Sequence, residues 1–157
     1  MENIIRFHAW EGEQSIRMMR ATSLSSGYNI ETFVIIIDAA HWHLGLCTKE
    51  ALTFIQGMAS IDSDHYPERL GALVVINAPS VLSIAYRVIA ALLDDVQRKK
   101  IQILTHKNDW FPVLLELMDE DQIPLQFGGT YPDPDPGTPY SILYFMAGIT
   151  TVSRVCL

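Results

Sequence analysis

Phe33-Val34-Ile35-Ile36-Ile37-Asp38 is an unbroken run of large apolar residues ending in a carboxylate. Side chains alternate between the two faces of a strand, so a strand of this composition is apolar on both. Such a strand is buried on both faces and belongs in a parallel or mixed sheet covered by helices. Ala72 to Ile76 reads as a second strand of the same kind. Between the two, Thr48 is placed to cap a helix. Ala51-Leu52, Phe54-Ile55 and Met58-Ala59 recur at helical spacing as one apolar stripe. The segment Asp62 to Pro67 ends that helix. Strand, helix, strand with a crossover of this length predicts a right-handed parallel unit.

Outward from this unit the pattern continues. Residues 3–20 predict an amphipathic helix whose apolar residues are Ile4, Ile5, Phe7, Trp10, Ile16, Met18 and Met19, weakened in its middle by Gly12. Ser25 to Asn29 is a loop. Residues 80–93 are helical, and Ile101 to Leu104 is a third strand. Asn108 or Asp109 caps a further helix carrying Trp110, Phe111, Val113, Leu114, Leu115, Leu117 and Met118. From Pro132 to Pro139 the alternating prolines exclude helix and central strand, leaving an extended acidic connector before an apolar tail that the pattern does not place. The fold class is α/β, with a mixed, mainly parallel sheet flanked by helices.

The totals exclude several functions. The chain has 157 residues, 49% of them hydrophobic, which is one domain, or most of one, with a real core. Eighteen acidic residues against eleven basic give a net charge of −7. That balance argues against nucleic-acid binding and against a polybasic membrane anchor. Two cysteines, Cys47 and Cys156, are too few for a disulfide framework or a thiolate zinc site, so a reduced, cytoplasmic setting is expected. No secretory leader is visible, and no run reaches the ~18 apolar residues of a membrane span; Ile142 to Ile149 comes nearest. Phosphate-loop, dinucleotide and nucleophile-elbow motifs are missing, and neither catalysis nor a cofactor is expected. Asp38, His41 and His43 contain metal-ligand types but lack a clear further ligand, so no metal is assigned.

The helix at 80–93 has an unusual wheel. At about 100° per residue, Val81, Ile84, Ala85, Val88 and Leu92 form one stripe. Leu82, Ile89, Leu93 and Tyr86 widen it to about half of the circumference, leaving only Ser83, Arg87 and Ala90 for water. Such a helix either lies between the sheet and another element, or rests one apolar edge on the core and turns the other to lipid. Near it are charges of both signs: Glu68 and Arg69 before the second strand, and Asp94 and Lys100 before the third. A carboxylate accepts hydroxyl hydrogen bonds and a lysine gives a compact charge to a phosphodiester, but the same residues also cap helices and brace turns.

A series of short motifs orders these features. Tyr66-Pro67-Glu68-Arg69-Leu70-Gly71 is followed by Ile76-Asn77-Ala78-Pro79, Leu93-Asp94, Arg98-Lys99-Lys100 and Ile101-Gln102-Ile103-Leu104. Ile123-Pro124 then leads into Phe127-Gly128-Gly129. In this order and spacing the chain resembles the CRAL-TRIO family of lipid-binding and phosphatidylinositol/phosphatidylcholine transfer domains. The resemblance runs from about Arg6 to Gly129. It implies a domain at residues 1–131 without the family's usual N-terminal helical region, then a connector and tail at 132–157. It implies an apolar lipid cavity under a gate helix bearing Val81, Leu82, Ile84, Ala85, Val88, Ile89 and Leu92. The headgroup would meet Glu68 and Lys100, with Arg69 and Asp94 as a supporting ion pair. The stretch Asp38-Ala39-Ala40-His41 departs from the family pattern. One bound phospholipid, phosphatidylinositol or phosphatidylcholine, and transient contact with a membrane surface follow from the resemblance. A lipid-sensing or protein-interaction module, or a carrier of a small isoprenoid-like molecule, is the alternative.

Overall fold

The core is a sheet in the order β3-β2-β1-β4, parallel at every pairing. Its strands are β1 (Phe33–Asp38), β2 (Leu70–Ile76), β3 (Ile101–Ile103) and β4 (Thr150–Ser153). The helices are α1 (Glu2–Ser26), α2 (Lys49–His65), α3 (Leu82–Ala90), α4 (Asp95–Lys99) and α5 (Lys107–Leu117). This computed structural model describes residues 2–91, 93–132 and 150–153. The acidic connector from Asp133 onward and the run Ile142 to Ile149 lie outside the described residues, as does Leu92. Within the tail, Thr150–Ser153 pairs along the outer edge of β1.

The register explains how the two sheet faces differ. Val34 pairs with Ala72, Ile36 with Val74 and Asp38 with Ile76, which puts these residues on one face. Val34, Ile36, Val74 and Ile76 are sealed there under Trp110, Leu114 and Met118, together with Ile123 and Phe127. Ile35 pairs with Leu73 and Ile37 with Val75 on the other face. There Val75 is buried, but Phe33, Ile35, Ile37 and Leu73 are only half-buried. The apolar run of β1 is therefore covered fully on one side and partly on the other. The expectation of a strand buried on both faces is corrected to that extent, because α1 and α2 leave a cavity over the second face.

Several local devices shape the elements. Thr48 accepts the Ala51 N–H at 3.2 Å and starts α2. The cap before α5 is His106 rather than Asn108 or Asp109, and it offers no side-chain bond. At the end of β2, Asn77 adopts a left-handed backbone with φ 53°, a conformation asparagine tolerates. Its amide donates to Asp38 Oδ1 at 3.0 Å and accepts from Trp110 Nε1 at 3.2 Å. The Asn-Ala-Pro motif thus ties both central strands to α5.

The first helix differs most from its sequence pattern. It runs unbroken through Gly12 to Ser26, and Gly27 at φ 76° closes it with its N–H on the Ser23 carbonyl. Phe7 and Trp10, read among the apolar residues of this amphipathic helix, are 45% and 54% exposed, and their rings stack with centroids 5.7 Å apart. The inward stripe is instead His8, Gly12, Ser15 and Met19, with Ser15 and Met19 buried. Gly12 is there for close approach: a Cβ would meet the Tyr66 ring at 3.0 Å.

Candidate functional site

The turn after α2 shapes the first wall of the site. Arg69 N–H reaches the Tyr66 carbonyl at 3.3 Å, closing Tyr66-Pro67-Glu68-Arg69. Pro67 suits the second position of such a turn, whereas the third position holds Glu68 at φ 59°. Glycine is at ease there; an L-residue costs roughly 1 kcal/mol. Strain of this kind persists where the surroundings impose it, and it collects at ligand sites.

Lys100 supplies the opposite charge. Asp94 accepts the Gln97 N–H at 2.8 Å and starts α4, whose C-terminal cap is Lys100. The expected helix 80–93 therefore ends early as α3, because Asp94 begins a new helix. Lys100 Nζ lies 3.0 Å from Glu68 Oε2. The lysine side chain is 23% exposed and the glutamate 76%, so the pair contributes about 0–1 kcal/mol and opens readily. Arg69 does not pair with Asp94. Its guanidinium donates to the Glu31 carbonyl at 3.2 Å, and Asp94 is occupied with its helix cap.

Glu68, Arg69, Asp94 and Lys100 nevertheless line one cavity of about 280 Å³. It lies against the half-covered sheet face, floored by Phe33, Ile35 and Leu73 and walled by α1, α2 and α4. A hollow of about 300 Å³ between α2 and α4 adjoins it through Ser63, Asp94 and Gln97. Pockets that bury a drug-sized molecule run about 300–1,000 Å³. The cavity is thus at the scale of a headgroup rather than of two acyl chains.

The expected gate residues lie elsewhere on the same face. Leu82 and Ala85 pack with Ala39, Val75 and Ala78, and half-buried Leu73 touches both this cluster and the cavity. Val81 precedes α3, and Ile89 is half-buried. Ile84 and Val88, one helical turn apart, are 63% and 52% exposed. So α3 does carry two apolar edges, one on the core and one outward, but none of its described residues lines the cavity.

The α1 side of the cavity was missed in the sequence. His8 Nε2 lies 2.7 Å from Asp62 Oδ1, linking α1 to α2. The Tyr66 hydroxyl is 3.2 Å from both the Ala9 carbonyl and Glu13 Oε1, and donates to one of them at a time. The available signal was the stripe His8, Glu11, Gly12, Ser15: polar and small residues at helical spacing.

Burial acts to lower the His8 pKa, but the hydrogen bond and charge of Asp62, with Glu11 behind them, outweigh it and hold the imidazole above its ordinary value of 6.5. A folded-state pKa above the unfolded one gives stability that is complete below about 6.5 and lost as pH rises through the folded value. The stability gap between wild type and His8→Asn is therefore expected to shrink between pH 6 and pH 9, read as urea midpoints at each pH. A gap that widens with pH would contradict the assigned pair.

Comparison with known proteins places the chain. Its residues 1–129 match the CRAL/TRIO domain. It is 33% identical over 138 residues to the phosphatidylinositol/phosphatidylcholine transfer protein SFH4 of Arabidopsis thaliana, covering 87% of this chain and 22% of the relative. It is 31% identical over 131 residues to the SEC14 cytosolic factor of Kluyveromyces lactis, covering 82% and 42%. The Sec14 cytosolic factor of Schizosaccharomyces pombe is 34% identical over 116 residues, covering 73% and 39%. The chain thus spans less than half the length of these curated relatives. The crystal structure of Sfh5 superposes with a TM-score of 0.50 at 22% identity, over 55% of this chain and 30% of that one, a likeness of fold. Among the described residues no helix is long and apolar enough to cross a membrane. With the family match spanning most of the chain, and the Pro-Glu-Arg turn, Asn-Ala-Pro clamp and closing Gly-Gly loop set on one parallel sheet, this chain belongs to the CRAL/TRIO domain family.

Proposed function

We propose that this chain binds one phospholipid and exchanges it between membranes, with the headgroup at the wall formed by Glu68, Arg69, Asp94 and Lys100. One observation carries the reading: residues from the turn before β2 and from both ends of α4 converge on a single cavity over a half-covered apolar sheet face. Lys100 meets the phosphodiester, and Glu68 accepts from headgroup hydroxyls once their weak mutual pair opens. Arg69 braces the turn, and Asp94 sets the helix that presents Lys100. The names of the relatives support phosphatidylinositol or phosphatidylcholine as the lipid and the cytosol as the place.

The tails need more room than about 280 Å³. They extend along Ile35, Ile37 and Leu73 as α3 lifts. Exposed Ile84 and Val88 then meet the bilayer in a transient contact. Each tail methylene leaving water gains about 0.8 kcal/mol in either place, so exchange is nearly balanced and needs a gate rather than a reaction. An ester lipid is accordingly recovered unchanged.

Native mass spectrometry of the purified chain, followed by solvent extraction, tests this. One phosphatidylinositol or phosphatidylcholine per chain is the expected result. A chain that stays empty after incubation with mixed-lipid vesicles overturns it. The cavity's small size favours a second reading, a carrier of a small isoprenoid-like molecule, which a phosphorus-free extract would single out.

A further inference from the structure

We propose that Glu11 is a specificity residue of the cavity, accepting a hydrogen bond from a hydroxyl of the bound headgroup and so favouring polyol headgroups over choline. This rests on the phospholipid reading above and adds a second contact to it.

The inference starts from unmet hydrogen bonding. Other charged side chains on the cavity wall are engaged within the protein: His8 with Asp62, Arg69 with the Glu31 carbonyl, Lys100 with Glu68. Glu11 also lines the cavity, yet its Oε1 is sealed from solvent and has no hydrogen-bond partner among the described residues. Buried polar atoms in native proteins are almost always paired, so an acceptor in a cavity wall that is orphaned among the described residues invites a donor from a bound molecule. Burial also raises the pKa of this carboxyl, with the charge of His8 opposing; the group lacks the solvation that a donor would restore.

The chemistry of that donor follows. A phosphate is repelled by the carboxylate and drawn to Lys100. A quaternary ammonium carries no N–H or O–H to give. A sugar-like ring of hydroxyls donates freely, and a carboxyl reoriented by a side-chain rotation accepts. Glu11 projects from α1 and Glu68 from the turn before β2, so the two acceptors belong to different walls of one cavity. Two acceptors placed this way orient a polyol, where one alone would only attract it.

The test is a competition. Vesicles of phosphatidylcholine doped with phosphatidylinositol are incubated with wild type, Glu11→Leu and Glu11→Gln, and the protein-bound lipids are quantified after re-isolation. Glu11→Leu is expected to lower the bound phosphatidylinositol-to-phosphatidylcholine ratio about tenfold, the size of one charge-assisted hydrogen bond. The isosteric Glu11→Gln, which keeps an acceptor oxygen, falls between. An unchanged ratio in Glu11→Leu, or in Glu11→Gln if the leucine variant does not fold, overturns the inference while leaving lipid binding intact. Equal loss of both lipids overturns it too, since that marks damage to the cavity. Wild type that takes up neither lipid overturns the parent reading, and this inference with it.

Discussion

Replacing Gly129 by alanine is expected to lower the unfolding free energy by about 3–5 kcal/mol, the scale of losing a large buried side chain. A Cβ at this position would overlap the backbone carbonyl of Ile123. That carbonyl cannot retreat, because it accepts the Tyr131 N–H at 3.0 Å while the Gly129 N–H holds the Pro124 carbonyl at 3.2 Å. Relief requires the loop to lift, which withdraws Ile123 and Phe127 from the sealed face. A loss of this size is a large share of the 5–15 kcal/mol that holds a typical domain together. The neighbouring Gly128→Ala is the control. Its φ of 90° disfavours a side chain, but the obstacle there is the flexible tip of Lys107, so a smaller loss of about 1–3 kcal/mol is expected. Urea unfolding followed by the fluorescence of buried Trp110 ranks the two. Equal midpoints for Gly129→Ala and wild type would show that the loop is not wedged as described.

Lys100→Ala is expected to cut uptake of phosphatidylinositol by roughly 10- to 100-fold, the value of a hydrogen bond to a charged partner. Stability should change little, since the Glu68 pair is half in water. Lys99, on the exposed side of α4 and off the cavity wall, serves as the comparison: Lys99→Ala removes the same charge from the same helix. A general electrostatic attraction to anionic vesicles would fall equally in both variants. A headgroup contact falls only at Lys100. Uptake of a neutral apolar ligand should be spared, and equal loss of that ligand would sink the assignment.

Much of this molecule was legible in its residues, for physical reasons. The run at 33–38 and its partner at 72–76 called for a parallel or mixed sheet covered by helices, and the two strands pair in parallel; Thr48 started α2 as its hydroxyl allows. Position relative to named motifs brought Glu68, Arg69, Asp94 and Lys100 to one cavity. Pairing was less legible. Arg69 turned to the backbone carbonyl of distant Glu31, a contact that only the fold creates, while Asp94 took the local hydrogen bond of its own helix cap. The orientation of α1 was illegible to a rule that sends apolar residues inward. Phe7 and Trp10 face out, while His8 and Ser15, on a polar and small stripe that such a rule passes over, face the cavity.

The uneven covering of the two sheet faces has a consequence for the life of the chain. A sheet whose second face is only partly covered among the described residues carries an unfinished core, and on the proposed reading the acyl chains complete it. Occupancy then adds to folding: a ligand at a hundred times its dissociation constant contributes about 2.7 kcal/mol. The empty chain is the form that opens most often, and proteases act on what opens. How much of this protein persists in a cell would then follow the local supply of its lipid, so that abundance itself becomes a report on membrane composition.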